Sequence, residues 1–331
     1  MTWQARLNPV DSEFMSENNQ SREKRLVYRK FPIVSVLLPI LFLFLHQLVL
    51  NGMAYLRIYL YAKSSGLKAD ELLRVFSRPE FFTEYLIASD AQNYGSIWAM
   101  IILIPIYLIY LFLRRRSDPA VLRLQAQGVS TYLESIVLII GSLGLTQLWM
   151  SFLLLFQNAD NFIGRSLRDY ITQAEMLTSA ESELWIQILA LVILVPIAEE
   201  LLFRGIIQGE LSLRFSRAVT VIASSVIFAL FHFDFIQGTY VFFAGIILAL
   251  AYELTKNLFV PIGMHMVFNF VGGGVLNRVL NLDENGSYQL LLILFIFIPF
   301  AFSVLILWFR RDKKKRENST HNFDCKAGDK R

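Results

Sequence analysis

The sequence predicts an all-α, polytopic membrane protein with about eight transmembrane helices and an interior polar cavity between spans four, five and seven. Three observations carry this. The 331 residues are 55% hydrophobic and only 18% charged, with a mean hydropathy of +0.49, too apolar for an ordinary soluble domain. The apolar residues come in long blocks of membrane-spanning length. Three of those blocks carry ionisable or amide side chains in their interiors.

In chain order, residues 1–30 are polar and end in a basic flank, Arg22, Lys24, Arg25, Arg29 and Lys30. They read as a cytoplasmic tail. The apolar run that follows starts too late for a cleavable signal peptide. The segment 31–129 is expected to hold two spans, 31–50 and 97–113. The first contains Pro39 and a lone His46, read as a packed or interfacial histidine. Between them, Glu71–Phe76 and Phe81–Ile87 have the pattern of amphipathic helices at the membrane surface. The second span ends in Arg114-Arg115-Arg116.

The segment 130–280 is expected to form the core unit. Its spans are read at 132–156, 184–207, 218–235, 238–254 and 258–276, with a polar loop over 157–183. A last span over 288–309 follows within the unit 281–309. A basic tail, 310–331, begins Arg310-Arg311 and is expected to be a disordered cytoplasmic segment. With eight spans both termini share a side. The dense basic flanks then all fall on that side, which the positive-inside rule makes cytoplasmic. The single cysteine, Cys325, lies in the polar tail, so no internal disulfide or thiolate metal cluster is available.

The fourth span holds Pro196-Ile197-Ala198-Glu199-Glu200-Leu201-Leu202-Phe203-Arg204. Each charge at mid-bilayer costs at least about 2.5–3.5 kcal/mol, so three within six residues require a reason. Glu200 and Arg204, spaced i, i+4, form the natural intrahelical pair. Glu199 points about 100° away from Glu200 and is left to face another group, with His232 the expected one. Pro196 removes a helix hydrogen bond and is expected to open space nearby. The fifth span carries Phe228 and His232 on one face, and the seventh carries His265 and Asn269 on one face. At about 1.5 Å per residue, Glu199, His232 and Asn269 lie roughly 20–22 Å, and His265 roughly 13 Å, from the basic residues flanking their spans. Polar groups at matched depth on three spans imply a common cavity.

Such a cavity suits general-base hydrolysis. Glu199 with His232 could activate a water, while His265 and the Asn269 amide donate hydrogen bonds to the developing oxyanion. The same residue types also serve a proton-coupled transporter, or a non-catalytic immunity or scaffold protein that kept the cavity. Glu199, His232 and His265 could also supply a two-histidine, one-carboxylate zinc site. No H-E-x-x-H helix accompanies them, and no metal or other cofactor is assigned.

In order and spacing, Glu199-Glu200-x-x-x-Arg204, Phe228-x-x-x-His232 and His265-x-x-x-Asn269 resemble the motifs of the CAAX-protease and bacteriocin-processing family. These are intramembrane glutamic endopeptidases related to type II CAAX prenyl endopeptidases and to bacterial abortive-infection proteins. The run from Phe242-Phe243-Ala244-Gly245 to Val260-Pro261 is similar too. One departure is Ala249, where the family often has a second small glycine. The resemblance covers about residues 130–280. It implies Glu199 as the base, His232 as its partner, His265 and Asn269 as the oxyanion site, Glu200 and Arg204 in support, and no required metal. The partners implied are the lipid bilayer and a membrane-embedded or membrane-associated peptide or protein substrate, with no nucleic acid. A bacterial plasma membrane is the expected location.

Overall fold

The structure, a computed structural model, describes residues 34–178 and 182–328. The expected tail over residues 1–30 lies outside them. The elements are α1 (Val34–Ser64), α2 (Ala69–Ser77), α3 (Pro79–Ala88), α4 (Ala91–Ser117), α5 (Val129–Leu154) and α6 (Phe162–Thr178), followed by a composite helix α7 (Leu184–Ser212). Then come α8 (Arg217–Leu230), α9 (Phe235–Thr255), α10 (Phe259–Gly272), α11 (Val275–Leu280) and α12 (Glu284–Gly328). Among the described residues no strand forms; Leu124 and Asn257 make one isolated bridge.

The all-α polytopic membrane class holds. Six helices (α1, α4, α5, α7, α9 and α12) are long and apolar enough to cross a bilayer. The expected spans five and seven are apolar helices of 14 residues each, about 21 Å long and shorter than the roughly 30 Å hydrocarbon core. The count of eight thus divides into six full-length helices and two short ones. Apolar side chains such as Leu37, Phe44, Ile101, Phe112 and Ile296 stand exposed along the long helices, as a lipid-facing surface requires.

α7 is the central element. Every residue from Leu201 to Leu211 is buried, polar ones included. A helix buried on all sides has no lipid-facing stripe, so its neighbours must cover its whole circumference. α4, α8 and α10 pack against it. On the far side α5 and α12 pair closely, because Gly141 and Gly144 leave no side chain between the backbones. A Cβ at Gly144 would come within 2.2 Å of the Leu294 carbonyl, and one at Gly141 within 2.4 Å of the Ala301 Cβ. Small residues at a membrane helix interface permit this approach.

Four details differ from the sequence reading. The expected polar loop over 157–183 contains α6, whose Ile163, Leu167, Tyr170 and Ile171 pack against Leu153 and Ile236. α8 stops at Leu230, several residues before the expected end. The chain reverses through Phe231–Asp234, with Phe233 in the left-handed region (φ 54°) and Asp234 capping α9 by accepting from the Gln237 N–H at 2.6 Å. The α8–α9 turn therefore precedes Phe235 rather than following it, and His232 sits in that turn instead of inside a helix. α1 continues to Ser64, well past the expected limit at residue 50. Finally, the segment after residue 309 continues as helix instead of an irregular tail. Arg316–Asp312 and Lys313–Glu317 pairs at i, i+4 support its first turns.

The α5–α12 contact can be tested by adding one methyl group. Gly144→Ala is expected to lower the thermal midpoint of the detergent-purified protein, with a cost of about 1–3 kcal/mol from overpacking against backbone. Gly52→Ala, where nothing lies within 4 Å of the new Cβ, is the control, expected to be neutral or stabilising. Equal midpoints for the two variants would show that Gly144 is not a packing constraint.

Candidate active site

The site begins with an irregularity of α7. Residues Ile188–Leu194 and Leu201–Gln208 run with the wider π-type hydrogen-bond pattern, on either side of a regular α segment, Val195–Glu200. Val195 donates its N–H to Ala190, five residues back. Continuing that register would pair the Leu191 carbonyl with residue 196. Pro196 has no N–H to give. The Leu191 carbonyl instead accepts from Nδ2 of Asn269 on α10, at 2.8 Å. Asn269 therefore closes a gap that the proline opens.

One turn on, the acidic pair divides as the spacing predicts. Glu200 and Arg204 are fully buried, with Arg204 Nη1 donating to Glu200 Oε1 at 2.6 Å. Arg204 Nη2 donates to the Gly245 carbonyl of α9 at 3.1 Å, and the guanidinium lies 4.7 Å from the Phe228 ring centroid. Gln208, one turn further, donates to the Ala249 carbonyl at 3.0 Å. The Arg204 and Gln208 side chains thus hold two successive turns of α9. Gly245 keeps this contact close, since a Cβ there would meet the Phe228 ring at 3.1 Å. Ala249, the departure from the family pattern, is buried without disturbing this contact.

His265 joins the two carboxylates. Its Nδ1 donates to Glu200 Oε1 at 2.9 Å, and its Nε2 lies 3.7 Å from Glu199 Oε2. Glu199, expected to face His232, has His265 as the imidazole nearest its carboxylate among the ion pairs the described residues make, and His232 lines the same cavity. His232 is placed by the end of α8. Its backbone N–H bonds to the Ala229 carbonyl, so the Phe228 carbonyl is left for the ring, whose Nδ1 donates to it at 2.8 Å. In a neutral ring this leaves Nε2 as the acceptor. Phe228 sits between the imidazoles, edge-to-face with His232 (5.0 Å) and with His265 (5.9 Å).

Glu199, His232, His265 and Asn269 all line one cavity of about 770 Å³. Glu200 and Arg204 do not reach it. Side-chain exposure separates the carboxylates: 13% for Glu199 against 0% for Glu200. The cavity also takes residues that the sequence reading passed over. His46 of α1 lines it and is buried, with Nδ1 3.0 Å from the Tyr107 hydroxyl of α4 and its ring edge-to-face with Phe231. Thr146 of α5 lines it with a buried hydroxyl that has no hydrogen-bond partner among the described residues. A lone histidine outside the motifs carries no signal in sequence; depth matching against Glu199 is the one test that could have raised it. Among the described residues, no group of three His, Cys, Asp or Glu side chains is arranged to hold a metal ion.

The fold and site define a polytopic, all-helical membrane protein with a carboxylate–imidazole cavity sunk among its helices. Residues 181–271, which carry α7 to α10, match the type II CAAX prenyl endopeptidase Rce1-like family, the same relationship that the motifs suggest. The chain is 41% identical over 112 residues to the membrane-embedded CAAX protease MroQ of Staphylococcus aureus (strain USA300), covering 31% of this chain and 44% of that protein. It is 35% identical over 88 residues to the uncharacterized protein YpbD of Bacillus subtilis (strain 168), covering 25% of this chain and 42% of that protein. The chain thus spans less than half the length of these curated relatives. No solved structure matches it.

The buried pair makes a stability prediction. Arg204→Ala leaves Glu200 in a sealed, low-dielectric site and is expected to cost about 3–5 kcal/mol. Glu200→Gln combined with Arg204→Met removes both charges and should recover much of that loss in a thermal unfolding comparison. A double variant no more stable than Arg204→Ala would mean that the pair is not the source of the penalty.

Proposed function

We propose that the protein is an intramembrane endopeptidase that hydrolyses a peptide bond in a membrane-embedded or membrane-associated peptide or protein. The observation that carries this reading is the division of labour between adjacent glutamates. Glu199 opens on the cavity beside His232, His265 and Asn269, while Glu200 is sealed away against Arg204. The Rce1-like match over this segment and the name of the S. aureus relative support the same reading.

In this mechanism a water held between Glu199 and His232 gives a proton to Glu199 as its oxygen attacks the scissile carbonyl carbon. His232 accepts a hydrogen bond from that water through Nε2. Negative charge collects on the former carbonyl oxygen. Asn269 spends one amide hydrogen on Leu191 and keeps the other for this oxyanion; His265, whose Nδ1 donates to Glu200, adds an Nε2–H donor to the cavity in its imidazolium form. When the C–N bond breaks, the proton on Glu199 passes to the leaving amine, giving a new carboxylate and a new amine. Glu200 and Arg204 hold His265 and α9 in place. No metal takes part. The bacterial relatives fit a bacterial plasma membrane, with the basic flanks and both termini on its cytoplasmic side.

Glu199→Gln keeps the shape of the side chain and removes the base. It is expected to reduce cleavage of a membrane peptide by the purified full-length chain by about 10²–10⁴-fold, while the thermal midpoint stays near that of the wild type. Undiminished cleavage by this variant would overturn the mechanism. A chelator is expected to leave the wild-type rate unchanged; loss of activity restored by zinc would instead favour the metal-dependent alternative.

A further inference from the structure

A second cavity, about 560 Å³, lies at the basic end of the bundle. It sits beside the first turn of α8, and fifteen residues at about 1.5 Å each separate Arg217 from His232, so it is some 22 Å from the candidate active site. Its polar lining includes Arg123, Arg217, Thr220, Glu253 and Lys256, with Phe215 at its edge. These come from the segment between α4 and α5, from α8 and the residues just before it, and from the α9 terminus.

Positive charge is in excess there. Arg123 pairs with Glu253 at 2.6 Å, Lys256 with Glu253, Arg217 with Asp312 at 2.7 Å, and Arg316 with Asp312 at 3.0 Å. The three cations that line the cavity, Arg123, Arg217 and Lys256, thus share two carboxylates, Glu253 and Asp312. Burial, and then the charge of Arg123, hold the Lys256 ammonium below the usual lysine range, although Glu253 works in the opposite direction. Two donors also remain unspent. Arg217 Nη2 and Thr220 Oγ1 are buried and have no hydrogen-bond partner among the described residues, although both residues line the cavity. Thr220 is 1% exposed. A buried guanidinium N–H or hydroxyl without a partner carries a cost that an occupant could relieve.

We propose that this cavity is an anion site for a phosphate group, either the headgroup of an anionic phospholipid or a free phosphate. A phosphate offers acceptor oxygens to the Arg217 and Thr220 donors together, and its charge meets the local cationic excess. The surroundings suit a bilayer headgroup. The apolar body of α8 starts at the cavity, Phe215 and Phe309 are exposed beside it, and Arg217 lies 6.0 Å from the Phe309 ring centroid. Basic pockets between helices at the membrane surface recognise lipid headgroups through this combination. An occupant would tie α8, the α9 terminus and the 118–128 segment at one point.

The test uses the full chain in neutral detergent, titrated with phosphatidylglycerol, with phosphatidylcholine, and with inorganic phosphate, and read by native mass spectrometry and thermal shift. Phosphatidylglycerol is expected to bind about tenfold more tightly than phosphatidylcholine and to raise the thermal midpoint. Arg217→Gln and Thr220→Val should each weaken it about fivefold. Arg278→Gln, a cation on α11 that bonds to the opposite end of α7, should have no effect. Thr220→Val keeps shape and charge, so it remains informative if Arg217→Gln does not fold. Inorganic phosphate that competes with the lipid would identify free phosphate as a ligand; failure to compete would assign the site to the headgroup. Unchanged phosphatidylglycerol affinity in Thr220→Val, or equal affinity for the two lipids, would overturn the proposal.

Discussion

The Arg204 guanidinium, sealed inside the bundle, is the constraint on which the centre of this protein depends. It neutralises Glu200, bonds to the α9 backbone at Gly245 and lies against Phe228. Glu200 in turn holds His265, and His265 stands beside Glu199. Three neighbouring helices therefore take their rotation about α7 from one charge network. Such a network adds little stability, because desolvation offsets most of the attraction between the charges. Glu200 Oε2 and Arg204 Nε even lack partners among the described residues. What it supplies is a single permitted arrangement, since any rotation that parts the charges leaves one of them alone in a medium of low dielectric.

The parts of this centre that depend on one helix were legible in the sequence. Glu200 and Arg204 are four residues apart, and that spacing alone predicts their contact. The shared cavity of Glu199, His232, His265 and Asn269 followed from rise per residue. The pairing across helices did not. Which imidazole meets Glu199 depends on the rotation of α7, and its two π-type stretches shift that rotation without any marker in composition. His232 was misplaced for a related reason. Phe231, His232 and Phe233 contain no helix breaker, and only Asp234 announces the next cap. α6 was a missed period rather than a hidden one: Ile163, Leu167, Tyr170 and Ile171 have the spacing of an amphipathic stripe inside a polar stretch.

The cavity is also broader than the segment that carries the motifs. His46 and Thr146 belong to α1 and α5, outside residues 181–271. The matched segment brings Glu199, His232, His265 and Asn269 to the cavity, and helices beyond that segment complete the walls. Related proteins can then differ in the walls while these four side chains stay the same.

The proline gap in α7 bears on how the chain enters the membrane. Glu200 and Arg204 neutralise each other within a single helix, so α7 can leave the aqueous translocation path with that pair of charges already compensated. The Leu191 carbonyl cannot be treated so, because its acceptor capacity waits for Asn269, seventy-eight residues later. An unpaired carbonyl in hydrocarbon is unfavourable. The half-assembled bundle is thereby kept receptive to α10, and the bond that closes the gap is one that also holds Asn269 at the cavity.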